Sequence, residues 1–251
     1  VSVIIRVYGQ LQYTLRCLAS IQRNIPSVPF EIIVVDDCSP DDSVRVLEKI
    51  PGIRLLPREE NDGFIKTCNA GADIAKGQYL CFLNNDTEVM PSWLDEMVRT
   101  FSVFPGTGLV GSKLVYPDGT LQEAGGIIWR DGSAWNFGRG QDPSLPVYNY
   151  AREVDYCSGA SIMVPVELFQ QLGGFDTEYC PAYCEDSDLA LKIRSQGHRV
   201  IYQPGSVVIH YEGKTSGTDT GSGVKAYQIE NGKKLYSRWR ERLSGHQESG
   251  V

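Results

Sequence analysis

The order of apolar runs and amphipathic stretches predicts an α/β fold built on a parallel sheet. Two short runs, Phe30-Glu-Ile-Ile-Val-Val-Asp36 and Gln78-Tyr-Leu-Cys-Phe-Leu83, have the length and composition of buried strands. Each ends in short polar residues, Asp36-Asp37 and Asn84-Asn85-Asp86. The segments between such runs carry apolar residues at helical spacing. Repeated strand–helix–strand units imply parallel strands joined by right-handed crossovers.

The elements follow in order. Val1 to Val7 reads as a strand, and Tyr13, Leu15, Leu18 and Ile21 mark a helix. After the strand ending at Asp36, the acidic turn to Asp42 caps a helix through Val44, Val46 and Leu47. Ile53 to Leu56 is a short strand, Gly63 to Ala75 a helix, and the run to Leu83 the next strand. Pro91 stands near the first turn of another helix. After about Leu109 strand-like pieces and Gly-rich turns take over. Asp131-Gly132, between Ile127–Trp129 and Ala134–Phe137, signals a hairpin. Glu167 to Leu172 is a helix closed by Gly173-Gly174, and Asp186 to Ser195 one closed by Gly197. Val200–Tyr202 and Val207–His210 read as two strands. A Gly/Ser/Thr-rich loop, Glu212 to Gly223, precedes a final helix from Val224 to Leu243.

Gly106-Thr-Gly108-Leu-Val-Gly111 has dinucleotide-fingerprint spacing. That motif must follow a strand and open a helix. Here it follows a helix and precedes an extended segment, so it is read as a helix exit and turn, and NAD binding is rejected.

The 251 residues suffice for one large α/β domain, and a net charge of -7 argues against bulk nucleic-acid binding. No apolar run approaches the roughly 20 residues that span a bilayer. The chain opens directly in a strand without Met or a signal peptide, the expectation for a domain of a longer chain. Seven cysteines, an odd count mostly inside apolar runs, point to reduced thiols and a cytoplasmic location. Cys180-x3-Cys184 has no second pair at zinc-site spacing.

Four polar sites fall at strand or turn ends: Asp36-Asp37, Asn84-Asn85-Asp86, Glu185-Asp186-x-Asp188 and His210. Parallel strands deliver the first two to one sheet edge, where open α/β sheets bind ligands. A lone carboxylate among amides suits Mg²⁺ or Mn²⁺ holding phosphates. Helix capping is the alternative for Asp86 and for Glu185-Asp186, and a satisfied core histidine the alternative for His210. Together the groups fit a metal plus general-base site.

Val1-Ser-Val-Ile-Ile5, Val34-Val-Asp-Asp-Cys-Ser-Pro-Asp41, Asn69-Ala-Gly71, Gly77 to Asp86, Leu172-Gly-Gly-Phe-Asp176, Glu185-Asp-Ser-Asp-Leu189 and His210 resemble the family 2 inverting glycosyltransferases. The likeness runs along nearly the whole chain and is nearest the bacterial surface-polysaccharide and O-antigen enzymes. It implies a GT-A fold: a Rossmann-like nucleotide-binding half (1–109) joined to an acceptor half (110–223) around one mixed, mostly parallel sheet, then a C-terminal helix and tail (224–251).

The resemblance also implies roles. Asp37 matches the carboxylate that binds the base, with Val7, Tyr8 and Asp36 beside it; Asn61, Gly63, Lys66 and Asn85 complete the nucleotide-sugar site. Asp86, last in the family's DxD motif, and His210 would hold a Mg²⁺ or Mn²⁺ cofactor. Asp186 would be the catalytic base, with Glu185 its neighbour. The implied partners are a nucleotide-diphosphate sugar donor and a glycan or lipid-linked acceptor. This chain departs from the family at Arg6 (usually Pro), Gly9 (usually Asn) and Asn84 (usually Asp).

Trp129 and Trp135, with Phe137, Tyr148 and Tyr150, suit either an acceptor platform or hairpin packing, and Asp188 is a further acceptor-side candidate. Lys214, Thr215, Ser216 and Thr218 suit a lid over the diphosphate. The final helix has an apolar stripe and a basic face, which fit either core packing or peripheral contact with the inner membrane face. Two further readings compete: an inactive sugar- or nucleotide-binding module, and a nucleotidylyltransferase. The second needs a Gly-rich basic loop after the first strand, which Val7-Tyr-Gly-Gln10 does not supply.

Overall fold

The structure is a computed structural model that describes residues 1–212 and 227–249. Strands β1 (Ser2–Val7), β2 (Glu31–Asp36), β3 (Ile53–Pro57) and β4 (Tyr79–Leu83) alternate with helices α1 (Leu11–Arg23), α2 (Ser43–Leu47) and α3 (Gly63–Asp73). A short β5 (Thr87–Val89) leads to α4 (Trp93–Val103). Then come β6 (Thr107–Val115), β7 (Leu121–Glu123) and the hairpin of β8 (Gly126–Ile128) and β9 (Ala134–Asn136). β10 (Arg152–Glu153), β11 (Ser161–Pro165), α5 (Val166–Gln171), α6 (Glu185–Ser195), β12 (Arg199–His210) and α7 (Tyr227–Leu243) complete the described elements.

The main sheet runs β10-β12-β6-β11-β4-β1-β2-β3, with β5 on β12 and β7 on β6. β1 pairs in parallel with β2 and β4, and β2 with β3. β11 is antiparallel to both neighbours, which makes the sheet mixed. The chain adds β2 and β3 on one side of β1 and returns on the other for β4. Strand order therefore reverses between β1 and β4, and a crevice opens beyond their carboxyl ends.

Both faces of this sheet are covered, which is why its strands read as near-continuous apolar runs. Ile4, Ile33, Val35, Leu80 and Phe82 pack on Ile65, Cys68 and Ala72 of α3. Alternate residues Val3, Ile5, Val34, Cys81 and Leu83 face Cys17, Leu18 and Ile21 of α1 and Trp93, Leu94 and Met97 of α4. Each fully buried aliphatic side chain contributes about 1.5–3 kcal/mol, so the sheet edge that carries the polar groups is rigidly backed.

Two expectations change. Gly106 turns at φ +79, but Thr107 to Val115 is one nine-residue strand, and Gly108 and Gly111 lie inside it. Their glycines answer to packing. A Cβ on Gly108 would lie 2.6 Å from Ile193 Cγ2, and one on Gly111 2.2 Å from Cys157 Cβ. Val200–Tyr202 and Val207–His210 belong to the single strand β12. Its pairing with β6 shifts register between Gln203 and Val207, a bulge that absorbs Pro204-Gly205. β5 is too short to have left a sequence signal. Residues 214 to 218 of the expected lid, and the 224–226 start of the last helix, lie outside the described residues.

Candidate active site

A cleft of about 510 Å³ opens at the β1/β4 carboxyl edge. Its lining includes Arg6, Asn84, Asn85 and Asp86 from the strand edge, Ser158, Gly159, Glu185 and Asp186, and Gln122 and His210.

The strand-edge side carries paired charge. Asp37 is fully buried, and its Oδ2 accepts from Arg6 Nε at 3.2 Å and Nη2 at 2.5 Å. Its Oδ1 accepts the Asp62 backbone N–H at 2.8 Å. Arg6, unexplained by sequence, thus neutralises the carboxylate expected to meet the base, and it is Arg6 that lines the cleft. The Arg6 guanidinium also lies 5.4 Å from the centre of the Tyr8 ring. Asp36 Oδ1 accepts the Ser39 N–H at 2.9 Å, and the Val7 carbonyl accepts from Asp37 N.

At the end of β4, Asp86 Oδ1 stands 3.3 Å from His210 Nε2. The His210 Nδ1 contacts Gln122 Oε1 at 3.1 Å. The His210 Nε2 also lies 3.5 Å from Asn84 Nδ2. One carboxylate and one imidazole are the sparse protein donor set of a Mg²⁺ or Mn²⁺ that takes its remaining ligands from water and phosphate. The two residues therefore fit the implied cofactor. No three His, Cys, Asp or Glu side chains form a metal cluster among the described residues, the Cys180–Cys184 pair included.

The opposite side carries unpaired charge. Tyr183 and Cys184 take φ +78 and +71 just before α6, a conformation held only by surrounding structure. Buried Asn231 of α7 supplies that hold. Its Nδ2 reaches the carbonyls of Tyr179, Ala182 and Tyr183 at 2.6, 2.8 and 3.2 Å. Asp186 Oδ2 accepts the Gly159 N–H at 3.0 Å, and Oδ1 accepts the Ser187 N–H at 2.7 Å. Burial raises the Asp186 carboxyl above its ordinary range against those bonds. Burial, with the Asp186 charge, pushes Glu185 up to about 8, and Glu185 Oε2 is buried without a partner.

Other expected residues lie apart. Asn61 is exposed and its Oδ1 accepts the N–H of Gly63, which opens α3, while exposed Lys66 pairs with Asp62 at 3.3 Å. Trp135 lines the cleft and is 49% exposed; Trp129 does not line it, but meets Trp135 edge-on at 5.5 Å. Asp188 does not line it either. Fully enclosed, it binds Trp239 Nε1 at 2.8 Å, Arg238 at 3.1 Å and Lys192 at 2.8 Å, and so pins α7 to α6. Sequence reading missed Gln122, Glu123, Ser158-Gly159 and Asn231. None ends a strand or opens a helix in the sequence pattern, and only tertiary packing brings them here.

The glycosyl transferase family 2 model matches residues 2–172. The chain belongs to that family. It is 36% identical over 201 residues to the O-antigen biosynthesis protein RfbC of Myxococcus xanthus, covering 76% of this chain and 16% of that protein. It is 25% identical over 244 residues to the N-acetylglucosaminyl-diphospho-decaprenol L-rhamnosyltransferase of Mycobacterium tuberculosis, covering 86% of this chain and 76% of that one. The crystal structure of GalNAc-T7 with UDP, GalNAc and Mn²⁺ superposes with a TM-score of 0.76 at 19% identity, over 96% of this chain and 49% of that one. The fold is thus GT-A. The chain spans about a quarter or less of the first curated relatives it matches.

Proposed function

We propose that this chain is a glycosyltransferase that inverts configuration, moving a sugar from a nucleotide diphosphate to an acceptor hydroxyl in surface-polysaccharide synthesis. The observation that carries the proposal is one cleft lined both by Asp86 and His210 and by the desolvated Asp186. Inverting transfer needs a base for the acceptor proton and positive charge against the departing diphosphate.

Asp186 is the base. Its raised affinity for a proton, caused by burial, moves it toward the operating range of a neutral-pH catalyst. The Gly159 and Ser187 amides fix which carboxylate oxygen points where. Glu185, held up to about 8, stays largely protonated beside it and keeps a second negative charge out of the site. Asp86 and His210 would hold a divalent cation, which supplies charge neutralisation to the diphosphate when bound. Arg6 adds fixed positive charge to the same edge. Burial pushes the Cys184 thiol, which lines the cleft, up to about 12, so it is protonated and a poor nucleophile.

The donor and a glycan or lipid-linked acceptor are the proposed partners, the site of action is the cytoplasmic face of the membrane, and the chain is proposed to work within a longer protein. No helix among the described residues is long and apolar enough to cross a membrane. A binding module without turnover is the second reading, favoured by the occupation of Asp37 by Arg6. The test is a panel of UDP-, dTDP- and GDP-sugars with and without Mn²⁺, scored for binding and for nucleotide release. Binding with release supports transfer; binding without release under any acceptor supports the module.

A further inference from the structure

Glu123 is a buried carboxylate beside the proposed base that no motif announces. β7 is only three residues long, and its pairing with β6 at Leu114 carries Glu123 into the interior with 0% exposure. Its Oε1 accepts the Ser158 N–H at 2.9 Å. The next amide, Gly159, donates to Asp186 Oδ2 at 3.0 Å. The carbonyl after that, Ala160, accepts the Asn84 N–H at 3.0 Å. Three consecutive residues therefore tie Glu123, the proposed base and the strand-edge motif to one turn.

We propose that Glu123 is a positioning residue: as a neutral carboxylic acid it anchors the Ser158–Ala160 turn, and the turn sets Asp186 against the Asn84–Asp86 edge. The inference rests on the reading of Asp186 as the base. Glu123 Oε2 is buried with no partner, a state that a neutral acid tolerates far better than a carboxylate. The groups around it do not supply a counter-charge. Asp186 of α6 is negative, and Tyr156 and Cys157, between β10 and β11, and Tyr202 of β12 are neutral and held so by burial. The neighbouring cation, Arg152 of β10, gives its Nη2 to the Ala124 carbonyl at 2.6 Å and lies over the Tyr202 ring at 5.0 Å. No cation pairs with Glu123 among the described residues. Burial, reinforced by the Asp186 charge, pushes the Glu123 carboxyl up to about 8, while the Ser158 amide pulls the other way.

The sign of the linkage follows. Folded Glu123 keeps a proton that the unfolded chain, with a carboxyl near 4.5, has already released. Its contribution to stability therefore falls as pH rises from 4.5 to about 8 and is level above that. Glu123→Gln preserves the acceptor for Ser158 and has no proton to lose.

The test compares wild type, Glu123→Gln and Glu123→Ala in two readouts: thermal unfolding from pH 5 to pH 8, and the pH profile of UDP, dTDP or GDP release from the corresponding sugar donors with Mn²⁺. The expected result is a melting-temperature advantage of Glu123→Gln over wild type that widens with pH. Its kcat at pH 7 stays within about 3-fold of wild type, and it loses the decline that wild type shows above about pH 8. Glu123→Ala lowers kcat on the order of 100-fold with little change in donor KM, because the base is misplaced and not removed. A melting-temperature gap that does not change with pH overturns the proposal. So does Glu123→Gln as impaired as Glu123→Ala, or Glu123→Ala as active as wild type. Release from no donor at all would count against glycosyl transfer, and the unfolding series would still decide the state of Glu123.

Discussion

The two walls of the cleft solve opposite electrostatic problems. On the strand-edge side, Arg6 lines the cleft and pairs with buried Asp37, which does not line it; Asp62, also outside the lining, pairs with Arg58 and Lys66. On the other side, Glu185 and Asp186 line the cleft, and buried Glu123 stands outside the lining; none of the three pairs with a cation among the described residues, and all three hold protons more tightly than free carboxyls. A carboxylate paired with a cation serves as fixed structure, whereas burial without a cation raises a carboxyl's affinity for its proton. The proposed function assigns binding to the first side and proton transfer to the second.

The largest effect that separates the walls is a pair of substitutions. Asp186→Asn keeps shape and removes the base, so turnover should fall on the order of 10²–10⁴-fold with donor affinity nearly unchanged. Asp86→Ala should instead abolish Mn²⁺-dependent donor binding, and His210→Ala should weaken it, both read by calorimetry. Equal loss of binding in Asp186→Asn and Asp86→Ala would erase the distinction.

Next in size is Arg6. Arg6→Gln leaves Asp37 buried without its cation, and stability should drop by about 3–5 kcal/mol in urea unfolding. A change below about 1 kcal/mol would mean that the pair behaves like an exposed one. Asn231→Ala should cost less, about 1–3 kcal/mol, because it unpartners carbonyls on one loop. It should also lower kcat, since that loop enters α6 at Glu185. Unaltered kcat with lost stability would confine Asn231 to the fold.

How much of this could be read in advance follows the same division. The first side is built from strand ends: β2 finishes in Asp36-Asp37 and β4 runs into Asn84-Asn85-Asp86, so the pattern of apolar runs places these residues at one edge. Arg6 was visible as an oddity, but its partner Asp37 lies on the neighbouring strand. The second wall is assembled from β7, the Ser158–Ala160 turn, α6 and α7, far apart in sequence. Glu185-Asp186 was found because it opens a helix; Glu123 and Asn231 look like ordinary polar residues until packing encloses them. The glycines of 106–111, read as a helix exit and turn and not as a phosphate loop, lie mostly inside β6. Their spacing imitates a phosphate loop, whereas Gly108 and Gly111 make room for Ile193 and Cys157.

The smallest expected effect concerns α7. Its apolar stripe packs inward through Leu235 and Leu243, and Arg238 is held by Asp176, Glu178 and Asp188. Lys234 reaches the Glu178 carbonyl at 2.9 Å and Lys233 pairs with Glu230 at 2.8 Å. With these cations engaged, the double change Lys233→Glu and Lys234→Glu should alter co-sedimentation with anionic vesicles by less than about 2-fold. A salt-sensitive loss of strong binding would restore the membrane contact read from the sequence.

The central claim is that one cleft holds a donor-binding wall and a separate proton-accepting wall. The most direct measurement titrates UDP-, dTDP- and GDP-sugars with Mn²⁺ into wild type and Asp186→Asn by calorimetry, and follows nucleotide release in the same samples. The account predicts one donor bound with closely similar affinity by both proteins and released only by wild type. Release by Asp186→Asn at the wild-type rate, at matched affinity, would contradict it.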